Sequence, residues 1–297
     1  MRSAVDNAVT ERFKELLDRL GEKSVEDYYN PYKMFDWVDS IPEDVYWMSE
    51  DLISPYGTEL VDELGVETMM RLSKWESINF YSMNVHGIRE LLIEVVNRIH
   101  MPGFEIPSDF FHHFIGEENE HMWFFAEFCR RYGGKIYPTV KLELGSAGDA
   151  DVENFLVFAR ILLFEEIVDF YNMRMGEDRS LHETIRQVNR IHHQDESRHI
   201  AFGRELVALL YKRIAGRLDE TELRGIEDYL KRYVAFSLRA FYNPAVYRDA
   251  GVEDPMGFRS RLLADERRRA PELKVVRKPM SFLTKNGIIT DPTLSIN

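Results

Sequence analysis

The chain has 297 residues, and 38 Lys and Arg stand against 51 Asp and Glu, a formal net charge of −13. That length suits one large domain or two small ones and buries a core without covalent staples, while the acidic balance argues against a nucleic-acid partner. A single cysteine, Cys129, excludes an internal disulfide and cysteine-rich metal chemistry and fits a reducing cytoplasm; no apolar run reaches the roughly 18–20 residues of a membrane span, and residues 1–6 show no apolar core of a secretory leader.

In chain order, Val9, Phe13, Leu16, Leu17 and Leu20 recur at helical spacing. Residues 27–57 are rich in aromatics and prolines, among them Tyr28, Tyr29, Tyr32, Trp37, Pro42 and Trp47, and read as an irregular arm packed on a bundle. Residues 59–100 form one long helical pattern, weakly broken at Gly65 and Gly87 and ended by Met101-Pro102-Gly103. Ser108 is the expected N-cap of a helix that runs to about Tyr132 and stops at Gly133-Gly134. A loop with Pro138, Gly145 and Gly148 follows over 135–150.

The pattern over about 151–175 is apolar nearly all round, from Phe155 to Phe164, so this helix is expected to be buried on most sides. Ser180-Leu181-His182-Glu183 reads as a capping box for a helix reaching about Ala215. A further helix covers 220–242 and ends at Asn243-Pro244. Residues 251–297, with Pro255, Pro271, Pro279 and Pro292, read as an irregular tail, and the basic run 259–278 as a solvated part of it. No alternating strand pattern of any length occurs, so the expected fold class is all-α, one domain over 1–297 with its core bundle at about 58–215.

Two stretches carry the chemistry: Glu118-Asn119-Glu120-His121 and His192-His193-Gln194-Asp195-Glu196-Ser197-Arg198-His199. Each holds Glu-x-x-His, and residues three apart on a helix are surface neighbours, so one carboxylate and one imidazole grip the same cation. Two such pairs plus one glutamate from each of two further helices build the dimetal site of a carboxylate bundle, with iron or manganese. His192 joins Glu196 and His199 on one helical stripe. With a rise of 1.5 Å per residue, Glu118 ten residues past Ser108 is level with Glu90 ten residues before His100, and Glu90 is the expected first-helix ligand. The other hairpin offers Glu165, Glu166 and Asp169, none level with Glu196, the offset being about 7 Å. Two adjacent acids on a buried apolar helix are costly unless a cation neutralises them. Asp195 is expected to hold His121, and Glu117 to hold His199, because metal-bound imidazoles donate their second N–H to an acceptor. His86 reads as a satisfied core histidine and Glu76 as a structural or surface acid.

Glu90, Glu165, Glu118-x-x-His121 and His192-x-x-x-Glu196-x-x-His199 resemble the ferritin-like di-iron oxygenases. The histidine one turn before the second motif resembles, within that group, the arylamine N-oxygenase family typified by p-aminobenzoate N-oxygenase. The resemblance covers roughly residues 50–240 and implies a ferritin-like four-helix bundle. It further implies two Fe ions held by Glu90, Glu118, His121, Glu165, His192, Glu196 and His199, with Glu165 favoured over Glu166. It also implies O2 as co-substrate and oxidation of an arylamine to a nitroso or nitro product. Manganese at one position stays open. The expected partners are a small aromatic amine and an external electron donor, with a homodimer as the one assembly considered and neither nucleic acid nor membrane. Competing readings are a di-iron hydroxylase or desaturase acting on carbon, with a carrier-bound substrate among its options, and a non-catalytic helical or iron-handling protein.

Overall fold

The computed structural model describes residues 4–139, 142 and 148–296. Gly145 of the expected loop lies outside them. The helices in order are α1 (Ala4–Glu26), α2 (Pro31–Met34), α3 (Leu60–Val96), α4 (Ser108–Phe128), α5 (Ala150–Glu177) and α6 (Glu183–Ala215). After these come α7 (Glu220–Arg239), α8 (Pro244–Asp249), α9 (Pro255–Ala264) and α10 (Arg269–Lys285). Among the described residues no strand occurs, and no helix is long and apolar enough to cross a membrane. The fold is all-α and ferritin-like.

Four long helices make the bundle. α3 packs on α4 and α5 on α6, and the two hairpins close on each other through α3–α5 and α4–α6. Tyr81 of α3 stacks on Phe125 of α4, and Phe80 stacks on Tyr171 of α5 while Gly87 meets Phe164. As the α3 number rises its partner's falls, so α3 is antiparallel to both neighbours and runs parallel to α6 on the diagonal. The number of residues between α4 and α5 is enough to allow this order. A Cβ at Gly87 would lie 2.2 Å from the Phe164 ring, so only glycine lets α3 and α5 approach here. Gly65, with φ +71°, interrupts α3 near its start.

α5 is buried on nearly every side, as its unbroken apolar run demands: Phe155, Leu162, Leu163, Ile167 and Val168 all lie in the core. Residues 27–57 form the expected arm, in which only α2 and a short 3-10 turn, Glu50–Leu52, are regular. Its rings tie down α4, with Phe35 against Phe124 and Trp47 against Phe128.

Three local expectations are corrected. Ser108 is not a cap but the first residue of α4, where its hydroxyl donates to the Phe104 carbonyl and accepts from the His100 N–H. The cap of α6 is His182, whose Nδ1 accepts from Thr184 N–H, while Ser180 donates to Asp178. The tail is largely helical. Pro255 opens α9 and Pro271 sits in the first turn of α10, where a proline costs no hydrogen bond. Val275, Val276, Met280 and Leu283 are buried as α10 packs on α5. Within the basic run Arg268 is buried and donates to the Tyr242 hydroxyl and the Tyr56 carbonyl. Counting prolines as breakers missed that Pro255 and Pro271 sit in first turns and that Pro279 lies inside α10.

Candidate metal centre

The second hairpin closes because its helices run further than the sequence pattern suggested. α5 ends at Glu177 and α6 begins at Glu183. Glu165 is thus twelve residues before the turn and Glu196 thirteen after it, which sets them level and removes the expected offset.

Glu118, His121, Glu196 and His199 meet in the bundle centre, each offering one ligand atom within 4.8 Å of the others'. Glu118 Oε1 lies 2.7 Å from His199 Nδ1 and 3.3 Å from His121 Nδ1. Glu196 Oε1 lies 2.9 Å from His192 Nε2, 3.7 Å from His199 Nδ1 and 3.8 Å from His121 Nδ1. The His192 and His121 ring centroids are 4.5 Å apart. Glu165, 2% exposed, faces the same place from α5. Burial, followed by the nearby Glu196 charge, pushes its carboxyl well above the usual range. Phe114, Phe124 and Phe125 pack on His199, His121 and His192 and keep the centre dry.

The ligand atoms make no well-directed hydrogen bond among the described groups, although Glu118 Oε1 and His199 Nδ1 stand 2.7 Å apart and Glu196 Oε1 and His192 Nε2 2.9 Å apart. Both oxygens of Glu118, Oε1 of Glu165, Oε2 of Glu196, Nδ1 of His121 and His199, and Nε2 of His192 are buried without a hydrogen bond. Unsatisfied buried polar atoms are rare, and seven in one spot mark a missing counter-charge. Three carboxylates and three imidazoles fit a pair of hard-to-borderline divalent cations.

Behind the ligands lies an ordered acceptor layer. His121 Nε2 donates to Asp195 at 3.0 Å and His199 Nε2 to Glu117 at 2.7 Å, the two pairs expected from the sequence. These bonds fix each ring so that Nδ1 faces the centre. Arg198 bridges both acids, at 2.6 Å from Asp195 and 2.7 Å from Glu117, and reaches Asp27 at 3.2 Å. Burial opposes ionisation of Asp195, but His121 and Arg198 outweigh it and hold the carboxyl down at about 2. Burial likewise opposes charge on His121, yet Glu118 and Asp195 push it up to about 10.

Of the expected ligands, the structure gathers Glu118, His121, Glu165, His192, Glu196 and His199 and leaves out Glu90. Glu90 is exposed, in a surface groove with Arg160 and Tyr233. The buried residue of α3 at this height is Ile88, and two further residues turn the helix by about 200°, which points Glu90 outward. Matching heights along the hairpin takes no account of which face of α3 a residue occupies. Glu166 is taken by Arg204 in a two-pronged pair at 2.8 Å, and Asp169 by His193 at 2.5 Å. His86 is satisfied by the Tyr137 carbonyl at 2.8 Å. Glu76, expected as a structural or surface acid, is buried and structural.

Three contributors escaped sequence reasoning. Asn172 meets His192 Nδ1 at 2.5 Å; its position seven residues after Glu165, on the same helical stripe, is the signal that would have found it. With the amide turned so that Oδ1 accepts the Nδ1–H, His192 Nε2 is left free for a cation. Arg198 lay inside the quoted motif without a role. Tyr29, whose hydroxyl donates to Asp195 at 3.0 Å, comes from the irregular arm, where no spacing rule applies.

Four antiparallel helices that turn two Glu-x-x-His pairs and a further glutamate into one dry cavity define a ferritin-like dimetal carboxylate protein. The family model described as p-aminobenzoate N-oxygenase AurF matches residues 10–287, and the chain belongs to that family. Comparison with curated proteins finds no match. Membership makes the chain a di-iron oxidoreductase of the arylamine N-oxygenase class.

Proposed function

We propose that this chain inserts oxygen from O2 into the nitrogen of a small aromatic amine, with Glu118, His121, Glu165, His192, Glu196 and His199 holding two iron ions. The observation that carries the reading is the set of seven unpartnered ligand atoms converging in a space walled by phenylalanines. The bound irons supply the reduction of O2, using electrons from an external donor. Each oxygen inserted into an N–H bond consumes one O2, two electrons and two protons and releases one water. The protein's own residues bind, orient and exclude. Asp195 and Glu117 hold His121 and His199 in the ligating tautomer, and the aromatic wall keeps bulk water out.

A place for the amine is offered by a cavity further along the bundle. This cavity, of about 420 Å³, is walled by Phe170, Tyr171 and Phe241, with Glu76 and Arg268 among its polar groups. That volume suits a small aryl compound. None of its lining residues is a ligand of the centre, and Glu76 in its wall lies three turns of α3 from Ile88, so the cavity stands further along the bundle and would feed the centre from the Tyr171 end of α5. We place the reaction in a reducing cytoplasm, consistent with the lone, buried Cys129. The test is to load the protein anaerobically with Fe(II), add a panel of aminoarenes with reductant and O2, and follow products by mass. Gains of oxygen on the amine nitrogen support the reading. Ring or side-chain hydroxylation with the nitrogen untouched favours the carbon-oxidising alternative, and iron taken up without any product defeats it.

A further inference from the structure

Four helices surround the centre, but only three bring a carboxylate to it. The heights are set by contacts on the page. Tyr81 meets both Phe125 and Phe128; seven residues on along α3, and seven back along the antiparallel α4 from each, Ile88 stands within the turn that runs from Glu118 to His121. Gly87 meets Phe164 of α5, so the next residues, Ile88 on α3 and Glu165 on α5, lie within one turn of each other. Ile88 is 1% exposed and is the inward residue of this turn, while Arg89 and Glu90 are exposed and His86 is bonded to the Tyr137 carbonyl. One turn earlier Asn84 is fully buried with its Oδ1 unpartnered and its Nδ2 spent on the Phe80 carbonyl. Its oxygen is neutral. No acid of α3 among the described residues lies both buried and at this height; Glu76, three turns away, is bonded to Ser54.

We propose that the two cation positions are unequal, because Ile88 stands where a symmetric dimetal bundle carries its fourth carboxylate. This rests on the dimetal reading above. Glu165, Glu196 and His199, with His192, come from the α5–α6 hairpin, and on the other side Glu118 and His121 come from α4 with nothing anionic from α3. Three carboxylates carry a charge of −3. The first divalent cation leaves the ligand carboxylates at −1, and the second takes them to +1, while the acids behind them, Asp195 and Glu117, share Arg198 and reach the ions only through the imidazoles. A net charge stranded in a dry interior is costly. The α5–α6 position therefore fills first, and the α3–α4 position holds its ion weakly and exchanges it.

The experiment titrates the metal-stripped full-length protein with Fe(II) under anaerobic conditions, and separately with Mn(II) counted by electron paramagnetic resonance. The expected isotherm has one tight equivalent and a second weaker by about a hundredfold, the scale set by an uncompensated buried charge. Ile88→Glu restores the missing charge and should tighten the second equivalent to within about tenfold of the first, leaving the first unchanged. Two wild-type equivalents of equal affinity overturn the proposal while leaving the N-oxygenase reading intact. So does an Ile88→Glu protein with native circular dichroism and an unaltered second equivalent. Should that variant fail to fold, the wild-type isotherms decide alone. No binding of either metal sinks the dimetal reading and this proposal together.

Discussion

Two clusters of buried acids lie along the same bundle and are resolved in opposite ways. At the centre, Glu118, Glu165 and Glu196 face imidazoles and one another, and both oxygens of Glu118, Oε1 of Glu165 and Oε2 of Glu196 lack a hydrogen bond. About ten residues up α3, Glu76 accepts from the Ser54 amide at 2.9 Å and from its hydroxyl at 2.5 Å. Arg268 lies close enough to favour its charge, and Tyr242 donates to Glu272. The second cluster is complete within the chain. Burial alone makes neither group functional; the difference is whether the protein supplies every partner. Where it does, the acid is structural, and where seven ligand atoms are left over, something outside the chain must complete them.

The strongest way to break this comparison is to remove a shared ligand. Glu196→Ala takes away the carboxylate near all three histidines. Metal analysis should show loss of bound iron, and turnover should fall below detection; a variant with full iron content would end the assignment. Next in size is the acceptor layer. Asp195→Asn and Glu117→Gln should each weaken metal binding by about 10–100-fold while the fold persists, measured by chelator competition. Loss of stability without loss of affinity would make the pairs merely structural.

The satisfied cluster is probed by pH. Burial raises the Glu76 carboxyl from 4.5 to about 7 against the pull of its Ser54 bonds and Arg268. Between those values the unfolded chain has released the proton and the folded chain keeps it, so the stability this group contributes falls as pH rises, levelling above 7. The total is about 3 kcal/mol. Denaturant curves should therefore show Glu76→Gln gaining on the parent by up to about that amount between pH 4.5 and 8. A difference that is flat with pH would mean that Glu76 is already ionised in the fold. Tyr29→Phe removes one neutral-to-charged hydrogen bond from Asp195 and should cost about 1 kcal/mol or a few-fold in affinity. Glu90→Ala should change neither metal content nor stability beyond about 0.5 kcal/mol, since that side chain is exposed.

Much of this was legible in one dimension. Glu-x-x-His spacing, the all-round apolar run of α5 and the paired acceptors Asp195 and Glu117 are local regularities, because helix geometry converts spacing directly into position. The tail was misjudged for a local reason as well, since Pro255 and Pro271 sit in the first turns of helices and Pro279 is carried within α10.

By itself the amino-acid order determined the helices, the two metal-gripping pairs and the charge chemistry that demands a cation, since each depends on residues within a few turns of one another. Only the tertiary structure decided which residue of each remaining helix faces inward. It chose Glu165 while Arg204 claimed Glu166, and it turned Ile88 rather than Glu90 toward the centre. The reason is rotational: one residue turns a helix by about 100°, and the packing of Gly87 on Phe164 and Tyr81 on Phe125, not any local propensity, sets that angle.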